Sequence, residues 1–562
     1  MKTLLKNGQI VNVFTDSLVK ANLLMEDDRI LGWGDYTDAD ADVVEDVAGK
    51  ILCPGLIDGH IHIESTMLMP SELAKVCLPR GTTAIVTDPH EVANVCGTAG
   101  IDFMMRASRG LPMHVYFMLS SCVPATPFDE SGAVLTAAEL KPFYARPEVL
   151  GLAEMMNYPG VIAGDSDILQ KLADCLSCGK VADGHAPGLT GRGLDAYLAA
   201  GIESDHECSG EAEAKERISK GQWIMIRQGT AARNLQALLP LFAEPWNRRC
   251  LLVTDDRHPA DFLAEGHIDH IVRLAARAGE NPLVAIRMAT LQAAQFFALR
   301  HVGALAPGYR ADVVVLDSLE DFAVNAVFSA GKKVVENGEV LPFEAPVLPE
   351  EVMHSVLSSF NLPELTPADF HLAPESGRCR VIRLIPDQLL TDEVHEEIHW
   401  DVENGVDLER DILKLAVVER HKGTGHIGLG FIQGVGLKKG AIASSVSHDS
   451  HNLILIGTNE ADLAAAANRI REMRGGCVFV VDGEVLAEMA LPIAGLMTTV
   501  PAAEIAEANR CVREAVYDYG VPRNLAPFMS MAFVSLTVIP SLKMTTQGLV
   551  DVNRQERVSL YL

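Results

Sequence analysis

At 562 residues the chain is longer than one hydrophobic core usually organises, so two or three domains are expected. Hydrophobic residues at 48% and charged residues at 22% exclude a disordered chain. A formal charge of −28, from 47 basic and 75 acidic residues, repels phosphate backbones, so no nucleic-acid partner is expected and a free small molecule is favoured.

The N-terminal "MKTLLKNGQIVNVF" has too short an apolar run for a signal peptide, and no run of about 18 apolar residues suggests a spanning helix. Of eleven cysteines only Cys175 and Cys178 lie close in sequence. Together these predict a soluble cytoplasmic protein with free thiols and no membrane partner. Residues 1–50 carry short alternating stretches broken by Asn, Gly and Asp, the pattern of a small β unit. A second β-rich piece returns over residues 301–345, and the two are expected to form one composite sheet domain of β-sandwich type around what lies between them.

Residues 51–300 repeat a strand-then-helix pattern with nearly continuous apolar strands, as parallel strands covered on both faces require. Eight strand ends are expected near His60, Asp88, Ser120, Glu154, Gly184, His206, Gln228 and Asp255, which predicts a TIM-like α/β barrel of eight βα units. An open doubly wound sheet is the alternative, but the Gly-rich loop usual after its first strand is missing. Residues 350–562, beyond the Pro-rich "EAPVLPEEV", read as a mixed α+β C-terminal domain.

The chemistry concentrates at the strand ends. In "PGLIDGHIHIEST" His60 and His62 are two residues apart in an extended segment, so both imidazoles share a face and can reach one cation. Such a pair alone is equally a satisfied core pair. Glu154, His185, His206 and Asp255 also stand at strand ends, where barrel enzymes place their sites. Burying six such side chains at one rim requires a compensating partner, and mixed His and carboxylate ligands suit two divalent ions better than one closed tetrahedral zinc. "HIE" at His62 to Glu64 with Cys175 and Cys178 imitates the zinc nucleobase deaminase pattern, but Asp174 replaces its proline and "DILQKLADCLSCG" has a helical period.

At these residues the chain resembles the amidohydrolase superfamily, and more closely the bacterial adenine deaminases within it. The resemblance runs nearly end to end, through "PGLIDGHIHIESTM", "RGTTAIVTDPHEVANVCG", "SSCVPA", "GLAEMMNYPGVI", "DGHAPGL", "VTDDRHP" and "EGHIDH", and beyond the barrel through "SHDSHN", "PIAGLM" and "VIPSLKMTTQGL". It implies that His60, His62, Glu154, His185, His206 and Asp255 are the metal ligands, with Glu154 bridging where many relatives use a modified lysine. It implies two divalent ions per chain, manganese or iron in preference to zinc, and a homo-oligomer, a dimer or tetramer, serving purine salvage. Gln228 departs from the acidic residue expected there, which puts a charged role at the seventh strand in doubt.

The implied reaction is attack of a metal-activated hydroxide on C6 of adenine, with Asp255 as base and then acid, releasing ammonia and hypoxanthine. His90 and Glu91 are placed to hydrogen-bond the purine, protonate a ring nitrogen, or support the ligands. Candidates for substrate contact are Glu64, Asp256 and Arg257 beside the ligands, and His448, Asp449 and His451 in the C-terminal domain. Asp256 and Arg257 equally suit a role in shaping the eighth loop, and the C-terminal histidines a role in turns or in covering the barrel mouth. The alternatives are a cyclic amide hydrolase of dihydroorotase or hydantoinase type, and a catalytically silent barrel subunit.

Overall fold

The computed structural model describes all residues except 376, 386, 387, 389, 401 and 402. Eight parallel strands follow one another between residues 56 and 253: β1 (Leu56–Ile61), β2 (Thr82–Thr87), β3 (His114–Leu119), β4 (Val149–Met155), β5 (Val181–Gly184), β6 (Ser204–Asp205), β7 (Trp223–Arg227) and β8 (Cys250–Val253). β1 to β5 form one ladder and β6 to β8 another. Parallel bridges from Ala182 to Ile202 and from Ile61 to Asp255 join the two into a closed barrel. Each strand ends within two residues of its expected position.

Residue parity explains why these stretches are strands. Ala84, Val86, Met225, Leu251 and Val253 pack in one cluster with Phe296 and Phe297, inside the barrel and beneath it. Their neighbours Ile85, Ile224, Ile226, Cys250 and Leu252 pack with the surrounding helices. Gly59 is required in β1 because a Cβ there would meet Leu251 Cδ1 at 2.4 Å. Ile57 lies in the inner cluster and Ile61 in the outer one, although both are odd-numbered. The register of β1 against β2 slips between Asp58 and Ile61, and this bulge turns His60 and His62 towards the barrel axis. Helices are weaker where the sequence interrupts them: "AARNLQALLPLF" yields an α-helix only over Leu235–Leu238 and then a 3-10 turn over Leu239–Phe242, because Pro240 cannot continue the α-helical hydrogen bonds.

The two β-rich pieces build one hydrogen-bonded nine-stranded sheet, in which Val313–Leu316 pairs with Ile51–Pro54. Ile51–Pro54, read from sequence as the start of the barrel, therefore lies in the composite sheet. Val313 and Val315 face a cluster with Leu5, Ile10 and Leu52, while Val314 and Leu316 face the barrel side. The C-terminal region forms an eight-stranded sheet. One of its faces, with Ala416, Val418, Leu453 and Leu455, packs on the helix Glu460–Met473; the other, with Leu415, Val417, Ile454 and Ile456, packs on Met531, Val534 and Leu542. No described helix is long and apolar enough to cross a membrane. Cys175 is buried in the helix Ser166–Ser177 and Cys178 caps it exposed.

Candidate metal centre and the cavity beside it

The six ligand-type residues converge at the C-terminal mouth of the barrel. His62 Nδ1 lies 3.1 Å from the backbone oxygen of Asp88. A carbonyl only accepts, so Nδ1 carries the proton and Nε2 presents a lone pair. His60 Nδ1 lies 3.1 Å from Asp183 Oδ2, and Asp183 also accepts from Ser204 Oγ and the Gly184 amide. Burial pushes the Asp183 carboxyl up, but the hydrogen bond from His60 outweighs it and holds the group below its usual range. An ionised Asp183 accepts a hydrogen bond from Nδ1–H of His60, so the proton of the neutral imidazole stays on Nδ1 and Nε2 is bare as well.

These two bare nitrogens face each other at 3.2 Å. Glu154 Oε1 and Asp255 Oδ1 each lie 3.3 Å from His62 Nε2 and 3.8 Å from His60 Nε2. Four acceptors converging in a buried space repel one another unless positive charge sits among them. Burial disfavours a charged His62, yet Asp255 and Glu154 hold it well above its ordinary value. That raised value marks the attraction of the two carboxylates for positive charge at Nε2, which a divalent cation would supply in place of a proton.

The other oxygen of Glu154 faces a second group. Oε2 lies 2.7 Å from His185 Nδ1 and 3.2 Å from His206 Nε2, and the two imidazoles are 3.3 Å apart. By these distances Glu154 reaches with Oε1 towards His60 and His62, beside Asp255, and with Oε2 towards His185 and His206. The donor set fits a divalent metal centre. Asp255 stands at φ +61°, a left-handed conformation that costs a non-glycine residue about 1 kcal/mol or more and is met where a site demands it.

Charged residues that the sequence reading did not name complete the site. Arg227, the last residue of β7, donates through Nη1 to Asp255 Oδ2 at 2.6 Å and also pairs with Glu207. Burial pushes the Asp255 carboxyl up, but Arg227 and the imidazoles hold it well below the usual carboxylate range. Gln228 lies just past the end of β7, and the charged side chain that this strand brings to the site is the cation Arg227, one residue earlier. Glu207 Oε1 lies 3.4 Å from His206 Nε2. A signal was present for Asp183 and Glu207, since each is an acid within two residues of a named histidine.

The remaining candidates separate. His90 is held by Asp88 Oδ2 at 3.0 Å and lies 3.6 Å from Glu154 Oε1. Glu91 is turned to the C-terminal domain, one oxygen 2.6 Å from His448 Nδ1 and the other taken by His451 Nε2. Asp449 approaches His90 Nε2 at 3.7 Å. Arg257 is fully buried away from the mouth, donating to the Gln228 carbonyl and to Glu265, which shapes the eighth loop. His421 donates to the Ser450 carbonyl, and His426 pairs with Glu130 at the surface. Glu64 and Asp256, each one or two residues past a ligand, line a cavity closed on its far side by Val446, His448, Asn509 and Phe528 of the C-terminal domain.

The chain is similar to known proteins along nearly its whole length. Residues 51–334 match the model of the amidohydrolase family, and residues 388–556 that of the adenine deaminase C-terminal domain. The chain is 46% identical to adenine deaminase 2 of Carboxydothermus hydrogenoformans over 98% of its own length and 95% of that protein's. It is 45% identical to the adenine deaminase of Desulfatibacillum aliphaticivorans over 99% and 96%, and 44% identical to that of Geobacillus kaustophilus over 98% and 95%. With its whole length matched and its ligand-type residues gathered at the mouth of an amidohydrolase barrel, the chain belongs to the adenine deaminases of the amidohydrolase family.

Proposed function

We propose that the protein hydrolyses free adenine to hypoxanthine and ammonia at a centre of two divalent ions held by His60, His62, Glu154, His185, His206 and Asp255. The observation that carries this reading is the convergence of those six side chains, with Glu154 between two groups of imidazoles, in a chain that matches adenine deaminases end to end. When bound, the cations supply a water acidic enough to act as nucleophile at neutral pH.

The chain's own residues do the rest. Asp255, with Oδ2 anchored by Arg227, receives the nucleophile's proton and returns it to the departing amine. His90, steadied by Asp88, donates to the purine as charge builds on its ring. Asp183 and the Asp88 carbonyl keep His60 and His62 in the tautomers that leave Nε2 free. His448, Asp449 and His451 close the mouth from the C-terminal domain and keep water out. The same reading takes the metal as manganese or iron, and the protein as a cytoplasmic homodimer or homotetramer in purine salvage, as the resemblance implies.

The test measures ammonia release from adenine, adenosine and an adenine-containing oligonucleotide, and ring opening of dihydroorotate and hydantoin, by the manganese-loaded protein. Adenine is expected to have the highest kcat/KM. A higher value for the nucleoside, the oligonucleotide or either cyclic amide overturns the assignment.

A further inference from the structure

Two polar groups at the cavity between the barrel mouth and the C-terminal domain are left without partners. Glu64 is buried at 3% exposure; its Oε1 accepts from the Val92 amide at 3.0 Å, while its Oε2 has no hydrogen-bond partner. Asn509, on the helix Ala502–Tyr517, is buried at 7% exposure and its side-chain amide pairs with no described residue. Leaving a buried carboxylate oxygen unpaired costs about 1–3 kcal/mol or more, so such an atom beside a cavity marks where a ligand donor belongs. Between the two stand Met67, Val446, Phe528 and Met529, an apolar lining suited to the faces of a flat ring. None of the six ligand-type side chains lines the cavity itself, but two of its walls, Glu64 and Asp256, stand within two residues of His62 and Asp255 in the chain.

Resting on the deaminase reading, we infer that this cavity holds the five-membered ring of adenine, with Glu64 Oε2 accepting the ring N–H and the Asn509 amide donating to a ring nitrogen. Free adenine has two kinds of N–H donor, the exocyclic amine and a single ring N–H. The amine is consumed at the metal centre, so the ring N–H is the donor left for a distant acceptor. A nucleoside has lost it, its N9 being bonded to the sugar. Glu64 therefore makes the site select a free base, first by the hydrogen bond and second by the space its carboxylate occupies. Asn509 comes from the C-terminal domain, so that domain reads the substrate as well as covering it.

The experiment compares adenine with 9-methyladenine, which keeps the amine but lacks the ring N–H. Manganese-loaded wild type, Glu64→Ala, Glu64→Gln and Asn509→Ala are assayed, with metal content measured for each. A hydrogen bond to a charged acceptor contributes about 1.5–3 kcal/mol, so kcat/KM for adenine is expected to fall about 10- to 150-fold in Glu64→Ala, mainly through KM. For 9-methyladenine it should stay level or rise, narrowing the selectivity by at least about tenfold. Glu64→Gln retains an acceptor oxygen and is expected to lie between, and Asn509→Ala should raise KM for both bases while leaving kcat within about threefold.

Equal losses on both substrates in both Glu64 variants, with metal content unchanged, would overturn the assignment of Glu64. An unaltered KM in Asn509→Ala would overturn that of Asn509. Absence of adenine turnover by the wild type would instead sink the deaminase reading itself.

Discussion

The residues at the mouth divide into those that present donor atoms and those that aim them. His60→Ala, His185→Ala and Asp255→Ala each remove a donor from a buried, preorganised set, so each is expected to lose at least about 100-fold in kcat while the circular dichroism spectrum stays native. Metal analysis should show less than the wild-type content, and near-wild-type rates with full metal would refute the ligand assignment. Asp183 acts at one remove: Asp183→Asn leaves His60 in place but removes the charge that fixes its tautomer. A loss of about 10- to 100-fold in metal affinity, recoverable at high metal concentration, is expected, and titration with manganese reads it directly. These roles were partly legible in the chain. The ligands announce themselves as His, Glu and Asp ending apolar strands, whereas Arg227 was missed because the charge balance it provides depends on Glu207 and Asp255 meeting it in space.

At the scale of elements, β1 carries both the site and a buried ion pair on its opposite face. His267, at the start of the helix Ile268–Arg277, lies 2.8 Å from Asp58 Oδ2 and is fully buried. Burial disfavours its charged form, but Cys77 and Asp58 outweigh this and raise the imidazole to about 10. A histidine whose folded pKa exceeds its unfolded value of about 6.5 stabilises the fold fully below that value, and the contribution is lost as pH rises through the folded pKa. The melting temperature is therefore expected to fall between pH 7 and pH 10, and His267→Gln should be less stable at pH 7 with a flatter slope across that window. An equally steep slope in the variant, measured by calorimetry, would show that another group titrates. The apolar run closed by a His-x-His pair that made β1 recognisable is local and visible in sequence. Its bulge between Asp58 and Ile61 is not, because it arises from pairing with β2.

Over the whole molecule, the barrel and the C-terminal domain are held together by polar contacts as well as by apolar packing. Glu91 of the barrel lies between His448 and His451, the Thr498 amide donates to the Met67 carbonyl at 3.0 Å, and the hydroxyls of Thr126 and Thr537 meet at 2.6 Å. Removing one partner of a buried charged group leaves the others uncompensated, so Glu91→Ala is expected to destabilise the protein by about 3 kcal/mol. Hydrogen exchange should quicken in the segment 444–452 while β1 to β8 remain protected, and kcat/KM for adenine should fall as water enters the mouth. Unchanged exchange in that segment would show that apolar packing alone holds the domains together.

The strand periods, the near-continuous apolar stretches and the ligand-type residues at their ends are properties of neighbours in the chain, so the eight-stranded barrel and its candidate ligands were readable from sequence. Side-chain alternation in a strand requires no knowledge of what lies opposite. What only the tertiary structure decided involves partners far apart: Asp183 on His60 across 123 positions, Glu91 on His451 across 360, and a cavity walled by residues 64 and 509. Whether a buried oxygen such as Glu64 Oε2 is satisfied depends on every surface that closes over it, and no local pattern encodes that closure.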